Sequence, residues 1–300
     1  MARIPGGFVP MSALPPDSAS APDPRSRQRI LTGIPGLDEV LRGGLPSGHM
    51  YLVTGDAGAG KTTLALQFLL EGRDRGERTL YLSLSETVKE LEAIASSHGW
   101  SLHAIERQEI AADQRDNGSE QTVFKASEIE LREFRARLEA AVQQVNPNRA
   151  VIDSISELRL LSGDSGQYRR QIGALKRYFG KRGCTLLITD DNTAEEAETF
   201  IHSLARGVFA LTQMNRPFGG TRRKLEVVKV RALEFTDGLH DYVIRAGGII
   251  VYPRLTAASH GEVVSNGMMS SGLPALDALF GGDIHRGTCV ALIGSSGTCR

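Results

Sequence analysis

Residues 55–62, GDAGAGKT, restrict the fold of this chain more than any other segment, because they match the phosphate-binding pattern G-x-x-x-x-G-K-[ST] at every fixed position. The glycines permit a turn whose backbone N–H groups face one anion, Lys61 can reach phosphate oxygens, and the Thr62 hydroxyl can ligate Mg²⁺. HMYLVT predicts a buried strand before this loop, and TLALQFLL predicts a helix after it that ends at Gly72. This order of elements favours a nucleotide site over an ordinary glycine-rich turn.

The predicted nucleotide site includes the loop and the first residues of the helix. Backbone N–H groups and the positive end of the helix dipole both stabilise a polyphosphate there, so ATP with Mg²⁺ is the expected ligand. The candidate binding residues are Gly55, Asp56, Ala57, Gly58, Ala59, Gly60, Lys61, Thr62 and Thr63.

Composition limits the class of protein. The 300 residues include 35 basic and 35 acidic side chains, so no bulk charge favours nucleic acid or a membrane, although a local basic patch is still compatible with these numbers. The three cysteines, Cys184, Cys289 and Cys299, have neither disulfide nor metal-site spacing. No apolar run approaches the ~18 residues of a membrane span. We therefore expect a cytoplasmic protein in a reducing compartment.

An internal repeat relates the two ends of the chain. TGIPGLDEVLRG, which precedes the loop, returns near the C-terminus as SGLPALDALFGG. Asp38 and Gly55 recur as Asp277 and Gly294, each 239 residues later without a gap. The sequence therefore contains one complete nucleotide-binding domain and the opening of a second.

The second occurrence of the loop departs from the phosphate-binding pattern. Cys299 stands at the position of Gly60, and Arg300 stands at that of Lys61. A Cβ at the glycine position and a missing hydroxyl ligand predict that no normal phosphate cradle forms there.

Three segments are expected along the chain. Residues 1–27 are rich in Pro, Ser, Ala and Asp, which predicts a disordered leader, with a partner-docking tail as the alternative. Order is expected from near Ile30, and the complete domain is predicted over residues 28–256. Residues 257–300 are predicted to form a linker and the start of the second domain, which has little to pack against.

Strand and helix patterns alternate between the two occurrences of the repeat. RTLYLSLS, RAVID and CTLLIT predict strands, and the capping boxes Thr87-x-x-Glu90 and Ser127-x-x-Glu130 predict helix starts. From Gly207 onward, GVFALTQ, KLEVVKVRA, HDYVIRA and GIIVYP predict strands joined by short turns. The expected fold is α/β, with a mostly parallel central sheet, helices on both faces and antiparallel strands at the C-terminal side.

Two acidic residues are candidates for chemistry. Asp153 follows an apolar run at a strand end, where a carboxylate would hold Mg²⁺ through water; a helix N-cap is the alternative. Glu86 ends the strand after the loop helix, in the crevice beside the phosphates. There it would orient an attacking water as a base, and a solvated carboxylate in a first helical turn is the alternative.

Basic residues near the C-terminal strands have two interpretations. Lys229 and Arg231 alternate with valines on one predicted strand, so both cations face the same side. They are either solvated charges or groups that reach a neighbouring copy's γ-phosphate and neutralise charge during phosphoryl transfer. The stretch from Arg222 to Lys224 predicts a basic hairpin, which is more often a solvated turn than a nucleic-acid contact.

Together these motifs resemble the KaiC family, a branch of the RecA-like P-loop ATPases. The resemblance covers roughly residues 28–300 and is carried by TGIPGLDEVLRGGLPSG, GDAGAGKTT, YLSLSET, RAVIDSISEL, EVVKVRALEF and SSGLPALDALFGG. It implies RecA-like domains that stack as rings, commonly hexamers, with ATP between protomers.

The resemblance also implies roles for single residues. Lys61 and Thr62 would contact phosphate and Mg²⁺, Asp153 would be the Walker B carboxylate, and Lys229 with Arg231 would act across the protomer interface.

Two departures from the family pattern bear on activity. The family often has two adjacent glutamates after the second strand, whereas this chain has Ser85-Glu86. Slow hydrolysis is expected, with a Ser85 that only positions water as the alternative. In KaiC the second domain carries autophosphorylation, and this chain contains only the start of that domain, so no protein kinase activity is predicted.

The sequence leads to a main hypothesis and two alternatives. The main one is a KaiC-like ATP hydrolase that couples nucleotide state to ring assembly and to signalling with a protein partner. A nucleotide-gated scaffold with little turnover is the first alternative. A RecA-like DNA-dependent ATPase is the second, and the neutral overall charge disfavours it. The expected cofactors are ATP and Mg²⁺, the expected partner is a second copy of the chain, and neither nucleic acid nor a membrane is expected.

Overall fold

The computed structural model describes residues 29–110, 123–162, 164–191, 195–214, 219–255, 267–282, 284–291 and 293–294. The chain divides into two compact units, Met1–Arg254 and Leu255–Arg300. The predicted leader lies outside the described residues, and so do Cys299 and Arg300. The predicted boundary after residue 256 stays a prediction.

One sheet of nine strands, among the described residues, organises the first unit. The strands are β3 (Met50–Gly55), β4 (Thr79–Ser83), β5 (Ile105–Glu109), β6 (Arg149–Asp153), β7 (Thr185–Asp190), β8 (Gly207–Met214), β9 (Arg222–Val230), β10 (Leu239–Arg245) and β11 (Gly248–Tyr252). Their order is β11-β10-β9-β8-β3-β7-β6-β4-β5. Strands β3 to β8 run parallel, and β9, β10 and β11 join them as antiparallel strands. This confirms the predicted mostly parallel sheet with an antiparallel C-terminal side.

The helices of the first unit follow the alternation that the sequence predicts. They are α1 (Leu37–Val40), α2 (Lys61–Asp74), α3 (Val88–Ser97), α4 (Val123–Val145), α5 (Ser156–Leu161), α6 (Ser165–Lys181) and α7 (Glu195–Leu204). A short ladder of β1 (Arg29–Ile30) and β2 (Leu45–Pro46) precedes the main sheet. In the part of the chain that the structure describes, no helix is both long and apolar enough to cross a membrane.

Side chains of β3 show how the sheet separates two apolar cores. Tyr51 and Val53 pack with α1, α2 and α3 on one face, whereas Met50 and Leu52 pack with α4 to α7 on the other. Successive strand residues point to opposite faces, so both faces of this central strand are buried. This burial is why the strand is a continuous apolar run rather than an alternating one.

The predicted end of α2 at Gly72 is wrong, because the helix continues to Asp74. Gly72 is instead a packing site for the buried Arg149, and a Cβ there would lie 2.7 Å from Arg149 Cδ. Arg149 donates hydrogen bonds to both Glu77 carboxylate oxygens, at 2.6 and 2.9 Å, and to the carbonyl oxygen of Leu31 at 2.7 Å. The absence of a side chain at Gly72 on α2 therefore leaves room for the buried Arg149 of β6.

The two predicted capping boxes differ in outcome. At α3, Thr87 Oγ1 accepts from the Glu90 N–H at 3.3 Å, and Glu90 Oε2 accepts from the Thr87 N–H at 2.8 Å, which confirms the prediction. The prediction at Ser127 is wrong, because α4 begins at Val123 and includes Ser127 in its interior. The preceding residues VFKA contain neither Gly nor Pro, so nothing local stops the helix from extending toward the N-terminus.

The second unit repeats the local structure that precedes the main sheet. It contains β12 (Met268–Met269), α8 (Pro274–Leu279) and β13 (Ile284–His285). We call residues 29–46 the first copy and residues 268–285 the second copy. Their two-stranded ladders have the same register at an offset of 239 residues: Arg29 with Pro46 and Ile30 with Leu45, then Met268 with His285 and Met269 with Ile284.

Candidate functional site

The phosphate-binding loop joins the end of β3 at Gly55 to the start of α2 at Lys61. Gly58 and Gly60 have positive φ angles, 79° and 99°, a region that residues with a Cβ rarely adopt. A Cβ on Gly55 would lie 2.5 Å from the carbonyl oxygen of Leu211, and one on Gly60 would lie 2.7 Å from Ile244 Cδ1. These glycines are therefore required by backbone conformation and by close approach.

Neighbouring strands hold the tip of the loop. Asp56, Ala57 and Gly58 are exposed, whereas Ala59 is buried and its carbonyl oxygen accepts from the Tyr242 hydroxyl at 2.6 Å. Tyr242 belongs to β10, so the antiparallel side of the sheet fixes the loop. Accessible backbone at the tip and a fixed base are the arrangement that an anion cradle requires.

The Lys61 side chain lies over its own loop. Its ammonium group donates to the carbonyl oxygens of Gly55 at 2.6 Å and Asp56 at 3.0 Å. It also forms an ion pair with Asp191 Oδ1 at 2.8 Å. Asp191 follows β7 and was not among the residues that the sequence predicted.

Thr62 and Asp153 come together at the carboxyl ends of the parallel strands. The Thr62 hydroxyl donates to Asp153 Oδ2 at 2.8 Å, and Asp153 is buried. Tyr81 donates to Oδ2 and Thr189 to Oδ1, so hydrogen bonds fix both carboxylate oxygens. Hydroxyl and carboxylate oxygens are the hard ligands that Mg²⁺ takes, so this pair fits the predicted metal.

The alternative interpretation of Asp153 as a helix N-cap is wrong. Helix α5 begins at Ser156, and Ile155 is its N-cap residue without a side-chain capping hydrogen bond. The Asp153 carboxylate is therefore directed to Thr62, Tyr81 and Thr189 rather than to the helix end.

Glu86 lies just beyond β4, whose last residue, Ser83, pairs with Asp153 on β6. Ser83 holds the Glu86 backbone, accepting from its N–H at 3.0 Å and donating to its carbonyl oxygen at 2.5 Å. The Glu86 Oε2 atom is buried without a hydrogen-bond partner. Burial raises the pKa of Glu86 to about 7, and the nearby charges of Asp153 and Glu90 contribute to this shift. An unpartnered carboxyl with such a pKa is typical of a group that exchanges protons near neutral pH.

Thr63 lies apart from the Thr62–Asp153 pair. It is buried, and its hydroxyl is 3.5 Å from His98 Nε2. The same imidazole is hydrogen-bonded to the Arg245 carbonyl oxygen at 2.8 Å through Nδ1 and packs on Trp100. The side chain of Thr63 therefore links α2 to the α3 end, and its predicted role in nucleotide binding stays a prediction.

Lys229 and Arg231 both contact the C-terminal end of α7. Lys229 donates to the carbonyl oxygen of His202, and Arg231 donates to that of Ser203 at 2.7 Å. Cations at a helix C-terminus are stabilised by the helix dipole. Both side chains lie on one side of the strand, as the sequence predicts, and within this chain their hydrogen bonds go to α7.

A β-bulge, which the sequence analysis did not anticipate, sets the direction of this basic pair. Val208 pairs with Lys229 and the next residue pairs with Val227, so Val228 is an extra residue in β9 and is 44% exposed. Strict alternation would place Lys229 on the same face as the buried Val227. The bulge shifts the alternation, so Val230 is buried and the cations face α7.

The residues from Arg222 to Lys224, which the sequence predicts as a basic hairpin, pair antiparallel with the end of β8 and lie in a strand rather than in a solvated turn. These residues begin β9, and Lys224 forms an ion pair with Asp241 Oδ2 on β10 at 2.8 Å. Cross-strand pairing of opposite charges explains why this basic run lies in the sheet.

Comparison with known proteins places this geometry in a family. The model of the KaiC ATPase family matches residues 30–256. The chain belongs to the KaiC ATPase family. The resemblance to the KaiC family and the expected RecA-like fold are therefore confirmed, and an ATP-binding P-loop domain follows from the family.

Two curated relatives and one solved structure show the extent of the similarity. The circadian clock protein KaiC2 of Synechocystis is 29% identical over 274 residues, which cover 89% of this chain and 47% of that protein. A UPF0273 protein of Pyrococcus furiosus is 30% identical over 239 residues, covering 75% of this chain and 94% of that protein. The crystal structure of a KaiC-like protein from Pyrococcus horikoshii has a TM-score of 0.62 and 27% identity, and the match covers 75% of this chain and 99% of that one.

The length of the matched regions separates these relatives. The chain spans about half of the two KaiC proteins of Synechocystis that it matches, 47% and 54% of their lengths. It spans nearly all of the UPF0273 relative. The similarity therefore concerns one ATPase domain, and what the longer proteins do as wholes does not transfer with it.

Proposed function

We propose that this KaiC-family chain binds Mg·ATP in its phosphate loop and hydrolyses it slowly, at a site completed by a second copy of the chain. The observation that carries the proposal is the 2.8 Å hydrogen bond from Thr62 to Asp153, beside Lys61 at the N-terminus of α2. It joins a hydroxyl, a carboxylate and an ammonium at the helix end where anions are stabilised.

Each member of this group has a task in the proposed site. Lys61 would hold the β/γ-phosphates, and Thr62 with Asp153 would hold Mg²⁺. The metal, when bound, would neutralise charge that develops on the phosphates. Tyr81 and Thr189 hold the Asp153 carboxylate in its orientation, because each donates a hydrogen bond to one of its oxygens.

Glu86 is the proposed base that orients the attacking water. Its Oε2 atom is buried and unpartnered, so it is available to accept a proton at the edge where Asp153 lies. A pKa of about 7 means that the ionised, active form increases as pH rises through neutrality. We expect the hydrolysis rate to rise between about pH 6 and pH 8 in the parent protein. Glu86→Gln should show neither this rise nor appreciable hydrolysis.

Lys229 and Arg231 are the proposed contribution of the neighbouring copy. Arg231 is exposed, and both groups lie at the C-terminal end of α7. In a ring, commonly a hexamer in the family, these cations would reach the phosphates bound by the next protomer. Nucleotide state would then be coupled to assembly and to signalling through a protein partner.

Phosphate release from Mg·ATP as a function of protein concentration tests this proposal. Specific activity should climb with concentration, and both Arg231→Ala and Glu86→Gln should abolish the increase. A rate per chain that is independent of concentration, with Arg231→Ala unaffected, would make Arg231 an ordinary surface charge. Lys61→Ala with normal ATP affinity would contradict the nucleotide site itself.

A nucleotide-gated scaffold is the second candidate function. Two observations favour it: Ser85 stands where the family often has a second glutamate, and a pKa of about 7 leaves much of Glu86 protonated at neutral pH. In that case the protein binds ATP and assembles without phosphate release. Sedimentation with and without Mg·ATP, run beside the phosphate assay, distinguishes the two functions.

A further inference from the structure

All three N–H donors of the Lys61 ammonium group are used within the protein. It carries three N–H donors, and the three acceptors are the carbonyl oxygens of Gly55 and Asp56 and the Oδ1 atom of Asp191, at 2.6, 3.0 and 2.8 Å. Only Asp191 is charged, and only Asp191 lies outside the loop. A phosphate that binds to Lys61 must therefore take the place of at least one of these partners.

Asp191 is placed by the sheet register. On β7, Asp190 pairs with Thr54 of β3, so the next residue lies beside the first glycine of the loop. Asp190 itself is buried and paired with Arg159 at 2.8 Å, which anchors the end of β7. Asp191 therefore reaches Lys61 from a fixed neighbouring strand.

The other side of the Asp191 carboxylate is held by the turn after β6. Its Oδ2 atom accepts from the hydroxyls of Ser156 at 3.1 Å and Ser154 at 3.4 Å. Its backbone N–H donates to the Ser156 hydroxyl at 3.3 Å. Burial opposes ionisation of Asp191, but the Lys61 ammonium and the serine hydroxyls outweigh it and lower its pKa. The carboxylate thus bridges the phosphate loop and the strand that carries Asp153.

We propose that Asp191 competes with the phosphates of a bound nucleotide for the Lys61 ammonium. Phosphate binding breaks the Lys61–Asp191 ion pair and leaves Asp191 on the two serines of the turn after β6. This inference rests on the proposed nucleotide site and deepens it, since it names the residue that sets nucleotide affinity. Asp191 acts through Lys61 and is a positioning residue rather than a catalytic one.

Affinity for Mg·ADP, measured by titration calorimetry, is the first test. ADP is not hydrolysed, and its β-phosphate is within the reach of the loop lysine. Asp191→Asn keeps the size of the side chain and removes the competing charge, so we expect binding to tighten about three- to tenfold. Asp191→Glu keeps the competing carboxylate and should stay near the parent affinity.

Asp56→Asn is the matched control for charge alone. Asp56 is an exposed loop residue whose backbone carbonyl, rather than its carboxylate, contacts Lys61. Its replacement measures how much the loss of any negative charge near the phosphates tightens binding. The proposal requires that Asp191→Asn tighten binding clearly more than Asp56→Asn does. Equal effects would mean that Asp191 acts only as one more negative charge near the phosphates.

Thermal unfolding supplies a readout that does not depend on activity. Without nucleotide, Asp191→Asn should lower the unfolding midpoint, because the Lys61–Asp191 pair is lost. At saturating Mg·ADP the deficit should vanish, because the pair is already broken in the bound parent protein and binding linkage requires the two effects to match.

The outcomes separate this inference from the proposed function. If Asp191→Asn binds Mg·ADP normally or more weakly, or if its deficit persists at saturating nucleotide, Asp191 does not compete for Lys61. Such a result combined with loss of binding in Lys61→Ala removes the inference and keeps the nucleotide site. Normal Mg·ADP affinity in Lys61→Ala removes both.

Discussion

The first and second copies have nearly the same local structure and opposite surroundings. In the first, the Thr32 N–H donates to Asp38 Oδ1 at 2.8 Å, and in the second the Ser271 N–H donates to Asp277 Oδ1 at the same distance. Both ladders share one register. Turn chemistry within about 20 residues is therefore sufficient to form this element.

Burial distinguishes the two copies. Val40 and Leu41 are both 0% exposed in the first copy, whereas their counterparts Leu279 and Phe280 are 81% and 47% exposed. The first copy is packed by the sheet and α2, and by partners such as Val251, whose N–H donates to the Pro35 carbonyl oxygen at 2.8 Å. Local sequence therefore specifies the shape of the element, and the surrounding domain supplies its stability.

Replacing Arg149 should cause the largest loss of stability among these substitutions, because Arg149 holds the first copy to β6 through Leu31. Arg149→Ala breaks the pair with Glu77 and the hydrogen bond to Leu31, so we expect a loss of about 3–5 kcal/mol in the free energy of unfolding. Urea unfolding followed by circular dichroism measures it. Arg135→Ala, which breaks an exposed helical pair with Glu139, should cost less than about 0.5 kcal/mol.

Truncating equivalent apolar residues tests the burial difference directly. Leu41→Ala should cost about 2–5 kcal/mol, because it leaves a cavity in the core. Phe280→Ala should change the free energy of unfolding by less than about 0.5 kcal/mol, since the ring is half exposed and lies outside that core. Similar costs for both variants in urea unfolding would show that the difference in burial does not set their stability.

The two copies differ in backbone conformation at Gly36. Gly36 has φ of 81° and precedes α1, and a Cβ there would lie 1.9 Å from the Val251 carbonyl oxygen. Its counterpart, Ala275, is already helical, so α8 begins at Pro274. We expect Gly36→Ala to destabilise by about 1–3 kcal/mol, through left-handed strain and the clash with β11. Ala275→Gly should leave unfolding of the first unit unchanged.

The smallest expected effect concerns Asp38 and its counterpart Asp277, whose pKa values are shifted in opposite directions. Burial raises the pKa of Asp38 above 3.8, whereas hydrogen bonds from Ser270 and Ser271 lower that of Asp277 below 3.8. Carboxyl-carbon NMR titration measures both. As pH rises above about 3.8 the charged form of Asp38 is disfavoured in the folded state, so its contribution to stability falls. Asp277 contributes with the opposite sign, and its contribution is lost as pH falls below that value. Shifts in the same direction would contradict the comparison.

Much of the fold could be predicted from the sequence because its signals are local. The apolar run of β3, the loop glycines and the capping box at Thr87 each act within a few residues. The start of α4 was missed because Ser127 resembles a cap and no breaker precedes it. The role of Gly72 was missed because its reason, Arg149, lies on a strand far away in sequence.

The candidate site was predicted in part for the same reason. The contact between Thr62 and Asp153 follows from a motif and from a strand end. Asp191 follows β7 in the same way that Asp153 ends β6, so the strand-end rule could have found it, but no motif marks it. The alternation of residues in β9 does not predict the bulge at Val228, because the bulge is defined only by the pairing of β9 with β8.

The hydrogen bond from Arg149 to Leu31 has a consequence for the order of folding events. It closes a separation of 118 residues, so it gains nothing until β6 has joined the sheet and the intervening chain has been ordered. We therefore expect the first copy to dock late in folding, after the rate-limiting barrier. Substitutions there are expected to speed unfolding and leave the folding rate nearly unchanged, which corresponds to φ-values near zero.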